Sequence, residues 1–139
     1  MNAIDTNLLV YSIDVDEPVR CARAINLIDQ LIQKPSETII LWQVAVEFLC
    51  CLRKWESQHR ISADDVSAHM HDWLVMFPLI FPSRDVIGIS FNLSTHYSLS
   101  HWDSLLIAAC IDAGVETLYS EDIDAGMQYG SVTVVDPFA

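Results

Sequence analysis

The chain has 139 residues, 52% of them apolar, which indicates one globular domain over residues 1–139 and excludes a largely disordered protein. Seven basic residues stand against 19 acidic ones, and the resulting formal charge of −12 repels nucleic acid unless metal ions supply positive charge locally. The longest apolar run, Leu105 to Ile111, is far shorter than the roughly 20 residues of a membrane span, and no signal peptide is recognised. No cysteines form a C-x-x-C pair. A cytoplasmic protein with reduced cysteines is therefore expected.

The N-terminal sequence predicts a strand followed by a short helix. Met1 to Ile4 is an apolar strand that ends at Asp5, and Thr6 or Asn7 caps a helix that runs through Ser12. An acid that directly follows a strand lies where open α/β sheets bind ligands. Asp5 is therefore either a cap for the next helix or a ligand-binding group.

The remaining helices are predicted from apolar residues at helical spacing and from start and stop signals. Two of them cover residues 19–33, with Pro18 in the first turn, and 43–55. A third begins at the capping box of Ser62 and Asp65 and ends at about residue 76, and a fourth covers 84–96. The last begins after the cap Ser100 and ends at Gly114.

Four further strands are predicted: 38–41, a buried strand in "FPLIFPS", "VETLYS" and "VTVV", with "EDIDAGMQYG" as an acidic, turn-rich loop. Short strands that alternate with helices favour a three-layer α/β/α fold with a central parallel sheet.

Three more carboxylates have unusual surroundings. Glu47 stands in "VAVEFLCCL", where a charge in a dry core is costly, so its side chain faces either a cleft with a cation or a narrow solvent-exposed stripe. Asp103, in "LSHWDSLLIAAC", is either half of a capping box with Ser100 or a ligand. Asp122 follows the strand "VETLYS", as Asp5 follows the first strand.

The four carboxylates can converge at the carboxyl edge of a parallel sheet. Like charges so placed repel one another unless cations hold them, and an all-oxygen set favours Mg²⁺ or Mn²⁺. Such a site can activate water and balance charge on a phosphodiester. We therefore expect Asp5, Glu47, Asp103 and Asp122 to be both the metal-binding and the catalytic residues.

In order and spacing, these motifs resemble those of PIN-domain ribonucleases, of the VapC toxin type. The resemblance rests on "IDTNLLVY" with Asp5, "QVAVEFLCCLRK" with Glu47, "LSHWDSLLIAAC" with Asp103 and "LYSEDIDAGMQYGSVTVVDPF" with Asp122. It implies a parallel sheet flanked by helices, a divalent metal, cleavage of RNA and a small antitoxin partner. A residue usually found as Asn before the terminal Pro-Phe is Asp136 here.

Several polar residues are secondary candidates. Glu121 and Asp124 can bind metal through water, and Thr6, Asn7 and Ser120 either support the metal site or cap local structure. His101 is either near the carboxylates or exposed at the start of its helix. A close-set basic group, Arg53, Lys54 and Arg60, either contacts phosphate or forms a solvated helix end.

The leading hypothesis is thus a metal-dependent endoribonuclease, the toxin of a toxin–antitoxin pair. Its expected partners are an RNA substrate, a small antitoxin with a basic tail that enters the acidic cleft, and a second copy of the chain in a homodimer. The alternative is a non-catalytic PIN-like module that binds protein. Phosphatase chemistry usually needs a D-x-D pair after the first strand, whereas this chain has Asp5-Thr6-Asn7.

Overall fold

A computed structural model describes all residues, 1–139. Its strands are β1 (Asn2–Ile4), β2 (Thr38–Leu41), β3 (Leu79–Ile80), β4 (Thr117–Tyr119), β5 (Gln128–Tyr129) and β6 (Val132–Val135). Its helices are α1 (Thr6–Tyr11), α2 (Pro18–Leu31), α3 (Trp42–Ser57), α4 (Ala63–Met76), α5 (Asp85–His96) and α6 (His101–Asp112), with a 3₁₀ turn at Pro35–Glu37.

The strands form one sheet in the order β3-β2-β1-β4-β6-β5, and all pairings are parallel except that of β5 with β6. The register sets Ala3 of β1 between Ile39 of β2 and Leu118 of β4. Successive strands β1, β2 and β3 extend the sheet in one direction, whereas β4 pairs on the other side of β1. The order of the strands therefore reverses between β1 and β4, and such a reversal opens a crevice at the carboxyl ends of the strands.

Helices flank the sheet and cover its apolar residues. Helix α1 packs against α2 and α3, α3 against α4, and α5 against α6, which also contacts β6. The apolar run at the centre of α6 is buried from Leu106 to Cys110, and Ile4, Leu118 and Val134 of the central strands are fully buried. The α/β fold that the alternating pattern predicted is confirmed.

The structure corrects three details of the sequence prediction. Helix α1 is capped by Asp5, whose carboxylate accepts from the N–H of Thr6, rather than by Thr6 or Asn7. The strand in "FPLIFPS" is two half-buried residues at the edge of the sheet, not a buried strand. The acidic loop contains β5, an antiparallel strand too short to produce an alternating pattern, so the sheet is mixed rather than wholly parallel.

No helix of the structure combines the length and the apolar character that a membrane crossing requires.

Candidate active site

The crevice between β1 and β4 holds two of the predicted carboxylates. Asp5 directly follows β1, and its backbone N–H donates to the carbonyl of Tyr119, the last residue of β4, at 2.9 Å. This bond continues the strand pairing by one step and places Ser120 and Asp122 beside Asp5. The two carboxylates belong to different parts of the sequence, but the topology of the sheet brings them to one edge.

Asp5 is a buried carboxylate that accepts two hydrogen bonds. Its Oδ1 accepts from the N–H of Thr6 at 2.7 Å, and its Oδ2 accepts from the hydroxyl of Ser120 at 2.6 Å. Burial raises the pKa of Asp5 from 3.8 to about 6, the hydrogen bonds from Ser120 and Thr6 oppose the rise, and the negative charges of Glu47 and Asp122 add to it. Glu47 and Asp122 are thus each close enough to Asp5 to disfavour its charged form.

Glu47 is half-buried on α3 and has polar partners at both oxygens. The Thr6 hydroxyl donates to its Oε2 at 2.8 Å, and the side-chain amide of Gln43 donates to its Oε1 at 3.2 Å. These bonds explain how a carboxylate is accommodated in an apolar segment. Thr6 adjoins Asp5 in the chain, so its hydroxyl ties Glu47 to the start of α1.

Asp122 is exposed in the loop after β4. Its Oδ2 accepts from the side-chain amide of Asn7 at 3.0 Å, and its backbone N–H donates to the hydroxyl oxygen of Ser120 at 3.3 Å. The other side-chain atom of that amide, Oδ1 of Asn7, is buried without any hydrogen-bond partner. A spare oxygen acceptor therefore adjoins the carboxylates.

Asp103 lies in the first turn of α6, and its carboxylate is not used as a cap. Its N–H donates to the hydroxyl oxygen of Ser100 at 3.2 Å, but no bond returns from the Ser100 N–H to the carboxylate. At the start of α4, by contrast, Asp65 does accept from the N–H of Ser62, at 2.9 Å. The capping box expected at Ser100 is therefore half-formed, and the carboxylate of Asp103 is free to bind another group.

Asp103 is linked to the other three acids only indirectly. The amide of Gln43, which binds Glu47, also donates to the carbonyl of Trp102 at 3.2 Å and so connects α3 with the first turn of α6. The charge of Asp103 acts on Tyr129, whose pKa is raised by burial and then by Asp124 and Asp103. The structure thus joins Asp5, Glu47 and Asp122 through shared hydrogen-bond partners and does not bring the carboxylate of Asp103 into contact with them.

A cleft of about 690 Å³ opens next to this group. Glu47, Glu121 and Asp122 are among its lining residues. Glu121 is bound by Arg20, whose guanidinium lies 2.9 Å from its Oε1, whereas Asp124 is exposed. Of the basic residues, only Arg60 lines the cleft, since Arg53 and Lys54 are exposed on α3 outside it, and His101 is likewise exposed.

No group of three or more His, Cys, Asp or Glu side chains is arranged to hold a metal ion in this structure. The donors at the crevice are nonetheless all oxygen atoms, from carboxylates and the spare amide oxygen of Asn7, and such donors suit Mg²⁺ or Mn²⁺. Three repelling carboxylates also favour a cation between them. The chemistry of the site therefore fits the expected divalent metal.

Sequence reasoning missed two residues of the site, Gln43 and Arg20. Gln43 lies four residues before Glu47 on α3, and residues at this spacing share a helix face, so the pair was detectable. Arg20 gave no such signal, because its partner Glu121 is 101 residues away in the chain.

The sequence matches no family model and no curated protein. Solved structures do resemble the fold. A chain of VapBC2 from Rickettsia felis, crystallised with a promoter DNA fragment, has 17% identity and a TM-score of 0.72 over 96% of both chains. VapC20 of Mycobacterium tuberculosis, described as a sarcin-ricin loop cleaving toxin, has 16% identity and a TM-score of 0.63 over 88% of this chain and 90% of its own.

A toxin–antitoxin complex from Klebsiella pneumoniae is similar over 99% of this chain and 98% of that one, with 19% identity and a TM-score of 0.67. At this level of identity the likeness concerns the fold. The chain shares the α/β fold of these structures, in agreement with the fold that its resemblance to PIN-domain toxins implied.

Proposed function

We propose that the chain is a cytoplasmic endoribonuclease that uses Mg²⁺ or Mn²⁺ to hydrolyse RNA phosphodiester bonds, and that it is the toxin of a toxin–antitoxin pair. The observation that carries the proposal is the placement of three carboxylates at the strand-order reversal of the sheet: Ser120 bridges Asp5 and Asp122, and Thr6 bridges Asp5 and Glu47. Related support comes from VapC20, which shares the fold and is described as a toxin that cleaves the sarcin-ricin loop.

In this proposal Asp5, Glu47, Asp103 and Asp122 hold the metal, directly or through water. A bound divalent ion would activate water and balance charge on the phosphodiester. The chain itself sets the positions of the carboxylates. Ser120 and the N–H of Thr6 fix the two oxygens of Asp5, while the Thr6 hydroxyl and Gln43 fix those of Glu47. Carboxylates fixed in advance do not have to be ordered when substrate binds.

The test is cleavage of a mixed pool of RNA by purified protein with Mg²⁺ or Mn²⁺. We expect cleavage that a chelator abolishes and that Asp103→Asn and Asp122→Asn reduce by more than the roughly 10–100-fold that outer-shell groups contribute. The control is Asp29→Asn, since Asp29 is an exposed acid on α2, outside the cleft. Protein that binds an antitoxin but cleaves no RNA would favour the non-catalytic binding module instead.

The proposed protein partner is a small antitoxin with a basic tail. Five carboxylates line the cleft against one arginine: Asp14, Glu17, Glu47, Glu121 and Asp122. The chain already binds a guanidinium here, because Arg20 contacts Glu121 through both Nε and Nη2. A basic side chain from a partner would find the same kind of carboxylate acceptor and would compete with metal.

A second copy of the chain is proposed to pack on an apolar groove of about 370 Å³ between α3, β3, α5 and α6. Phe81 stacks on Trp42 at 5.0 Å, and Phe81, Ile87 and Trp102 are each more than 60% exposed. These side chains offer on the order of 500 Å², a large part of the roughly 800 Å² that each partner buries in a standard interface.

Charge supports a homodimer at this groove. Its only ionisable lining residue is Asp112, whose carboxylate accepts from the hydroxyl of Ser83 at 2.8 Å, so acidic copies avoid most of their repulsion there. Sedimentation should detect a dimer that Phe81→Asp dissociates, while Val75→Asp, at an exposed apolar position outside the groove, leaves it intact. A monomer at high protein concentration would contradict the homodimer.

A further inference from the structure

The cleft runs between α1 and α3, from the carboxylates to a single arginine. At one end the Thr6 hydroxyl binds Glu47, and at the other end Asp14, which follows α1, lies 3.3 Å from the guanidinium of Arg60, which follows α3. The two helices therefore extend side by side away from the carboxylates. From Glu47 to Trp55 the cleft follows eight residues of α3, or about 12 Å, a distance that about three stacked nucleotides span.

Arg60 is the only basic residue that lines the cleft, and it is only partly engaged. Its guanidinium lies 4.1 Å from the centre of the Trp55 ring. Its Nη2 donates to Asp14 and to Asp16, at 3.3 and 3.1 Å, whereas Nη1 and Nε have no partner. Asp16 is 76% exposed, so its pair with Arg60 is weak in water, whereas Asp14 is only 14% exposed and is the stronger competitor for the guanidinium. The guanidinium thus lies over the indole ring and keeps donor groups that a ligand can use.

The turn after α3 places Arg60 by means of a strained residue. The N–H of His59 donates to the carbonyl of Glu56 and that of Arg60 to the carbonyl of Trp55, which is the Schellman arrangement. The residue in the left-handed conformation is usually glycine, as Gly114 is in the same motif at the end of α6. Here it is His59, with φ of 59°, and strain of this kind clusters at functional sites.

We propose that Arg60, held by Trp55, binds a backbone phosphate of single-stranded RNA about three nucleotides from the bond that is cut. This inference rests on the proposed ribonuclease function and names the residue that contacts the substrate away from the carboxylates. A chain with few cations repels RNA at long range, so a guanidinium at the end of the cleft supplies the local attraction that substrate needs. The flat indole and guanidinium also suit contact with unstacked bases.

The test measures binding apart from cleavage, using a fluorescent single-stranded RNA of mixed sequence in chelator over a range of salt concentrations. Arg60→Gln should weaken binding and reduce the slope of log affinity against log salt by about 0.7, the value for one phosphate contact with a single strand. Arg53→Gln is the matched control, since Arg53 is exposed on α3 and does not line the cleft.

A reciprocal variant separates a phosphate contact from a structural role. Asp14→Asn removes a competitor for the guanidinium and should strengthen RNA binding more than Asp29→Asn, which changes the net charge equally but lies outside the cleft. Arg60→Gln should abolish this gain. If Arg60→Gln does not fold, Arg60→Lys, which keeps the charge but loses the fork of donors, should show intermediate binding.

Equal effects of Arg60→Gln and Arg53→Gln in a wild-type protein that binds and cleaves RNA would overturn the Arg60 inference alone. A weakening of binding by Asp14→Asn would also overturn it, because Asp14 and Arg60 would then only connect α1 with α3. Absence of metal-dependent cleavage by the wild type, with the Arg60 effects on binding intact, would overturn the proposed ribonuclease function instead.

Discussion

The hydroxyl of Ser120 donates a 2.6 Å hydrogen bond to Oδ2 of Asp5 and thereby joins the end of β4 to the end of β1. Ser120 is fully buried and Asp5 nearly so, which makes this bond the best-shielded polar contact of the site. Because a hydroxyl that donates to a carboxylate favours its charged form, the bond counteracts the burial of Asp5. A proton on Asp5 would remove the negative charge that a metal site needs.

Ser120→Ala should therefore raise the pKa of Asp5 further above its present value of about 6. An NMR titration of the Asp5 carboxyl group in chelator measures the effect directly, and the acidic limb of the pH–activity profile should move to higher pH. The control is Ser90→Ala, since Ser90 is also buried but its hydroxyl donates to the carbonyl of Ile87 within α5. An unchanged titration in Ser120→Ala would contradict the assigned role of the bond.

Asp5→Asn should stabilise the metal-free protein near neutral pH. Because the pKa of Asp5 is about 6 in the folded state against 3.8 ordinarily, the folded state binds the proton more tightly. The free energy of unfolding therefore decreases as the pH rises from about 4 to about 6 and stays lower above it, by up to about 3 kcal/mol. An uncharged Asn escapes this loss.

Urea unfolding in chelator at several pH values checks this prediction. The variant should be more stable than the wild type above about pH 6, and the difference should disappear below about pH 4. Millimolar Mg²⁺ should narrow the gap, because an ion that binds only the folded wild type stabilises it. If the difference in free energy of unfolding between the variant and the wild type did not depend on pH or on Mg²⁺, the charge of Asp5 would not be the cause of that difference.

Asp103→Ala should affect RNA cleavage more than protein stability, whereas Asp65→Ala should affect stability and leave cleavage unchanged. Asp65 completes a capping box at the start of α4, so its loss should lower the stability of the protein more than the loss of Asp103 does. Asp103 makes no such bond and should cost about 0.5 kcal/mol through the helix dipole. RNA cleavage should be lost in Asp103→Ala and kept in Asp65→Ala. Equal stability losses would mean that Asp103 acts as a cap in solution.

The comparison of these two acids shows what the sequence can and cannot specify. Both are three residues after a serine, and both predict the same capping box. The pattern correctly predicted where the two helices begin, because a capping bond joins residues within one helical turn. Whether the carboxylate turns back to the backbone or away from it depends on what the helix packs against, and no local pattern encodes that.

The convergence of Asp5 and Asp122 was predictable for a different reason. Each follows a strand, and a parallel sheet brings strand ends to one edge whatever their separation in sequence. The ion pairs of Arg20 and Arg60 were not predictable in this way, although Arg60 was a candidate phosphate contact from its basic neighbours in the sequence. The partners of the two arginines, Glu121 and Asp14, come from other elements, and these ion pairs depend on helix packing rather than on any periodicity.

His59→Gly should raise the stability of the protein by about 1 kcal/mol, because glycine adopts the left-handed conformation without the clash that other residues suffer. Gly114→Ala, at the same position of the same motif after α6, should lower stability by a similar amount. Thermal unfolding of both variants measures the pair. A loss of stability in His59→Gly would mean that the His59 side chain makes contacts worth more than the strain.

The charge of −12 should control how an antitoxin with a basic tail binds the chain. A basic tail that enters the cleft should bind carboxylates such as Glu47 and Glu121 and so compete both with metal and with RNA for one site. Association should therefore slow as salt rises, since long-range attraction between opposite charges is screened.

Titration of the product of the adjacent gene against the protein, followed by binding kinetics and RNA cleavage at low and high salt, tests both points. Glu121→Gln should weaken the ion pair with Arg20 and remove one negative charge, so it should weaken the complex, whereas Asp29→Asn should affect only the long-range rate. Binding without inhibition of cleavage, or an association rate independent of salt, would place the antitoxin elsewhere on the surface.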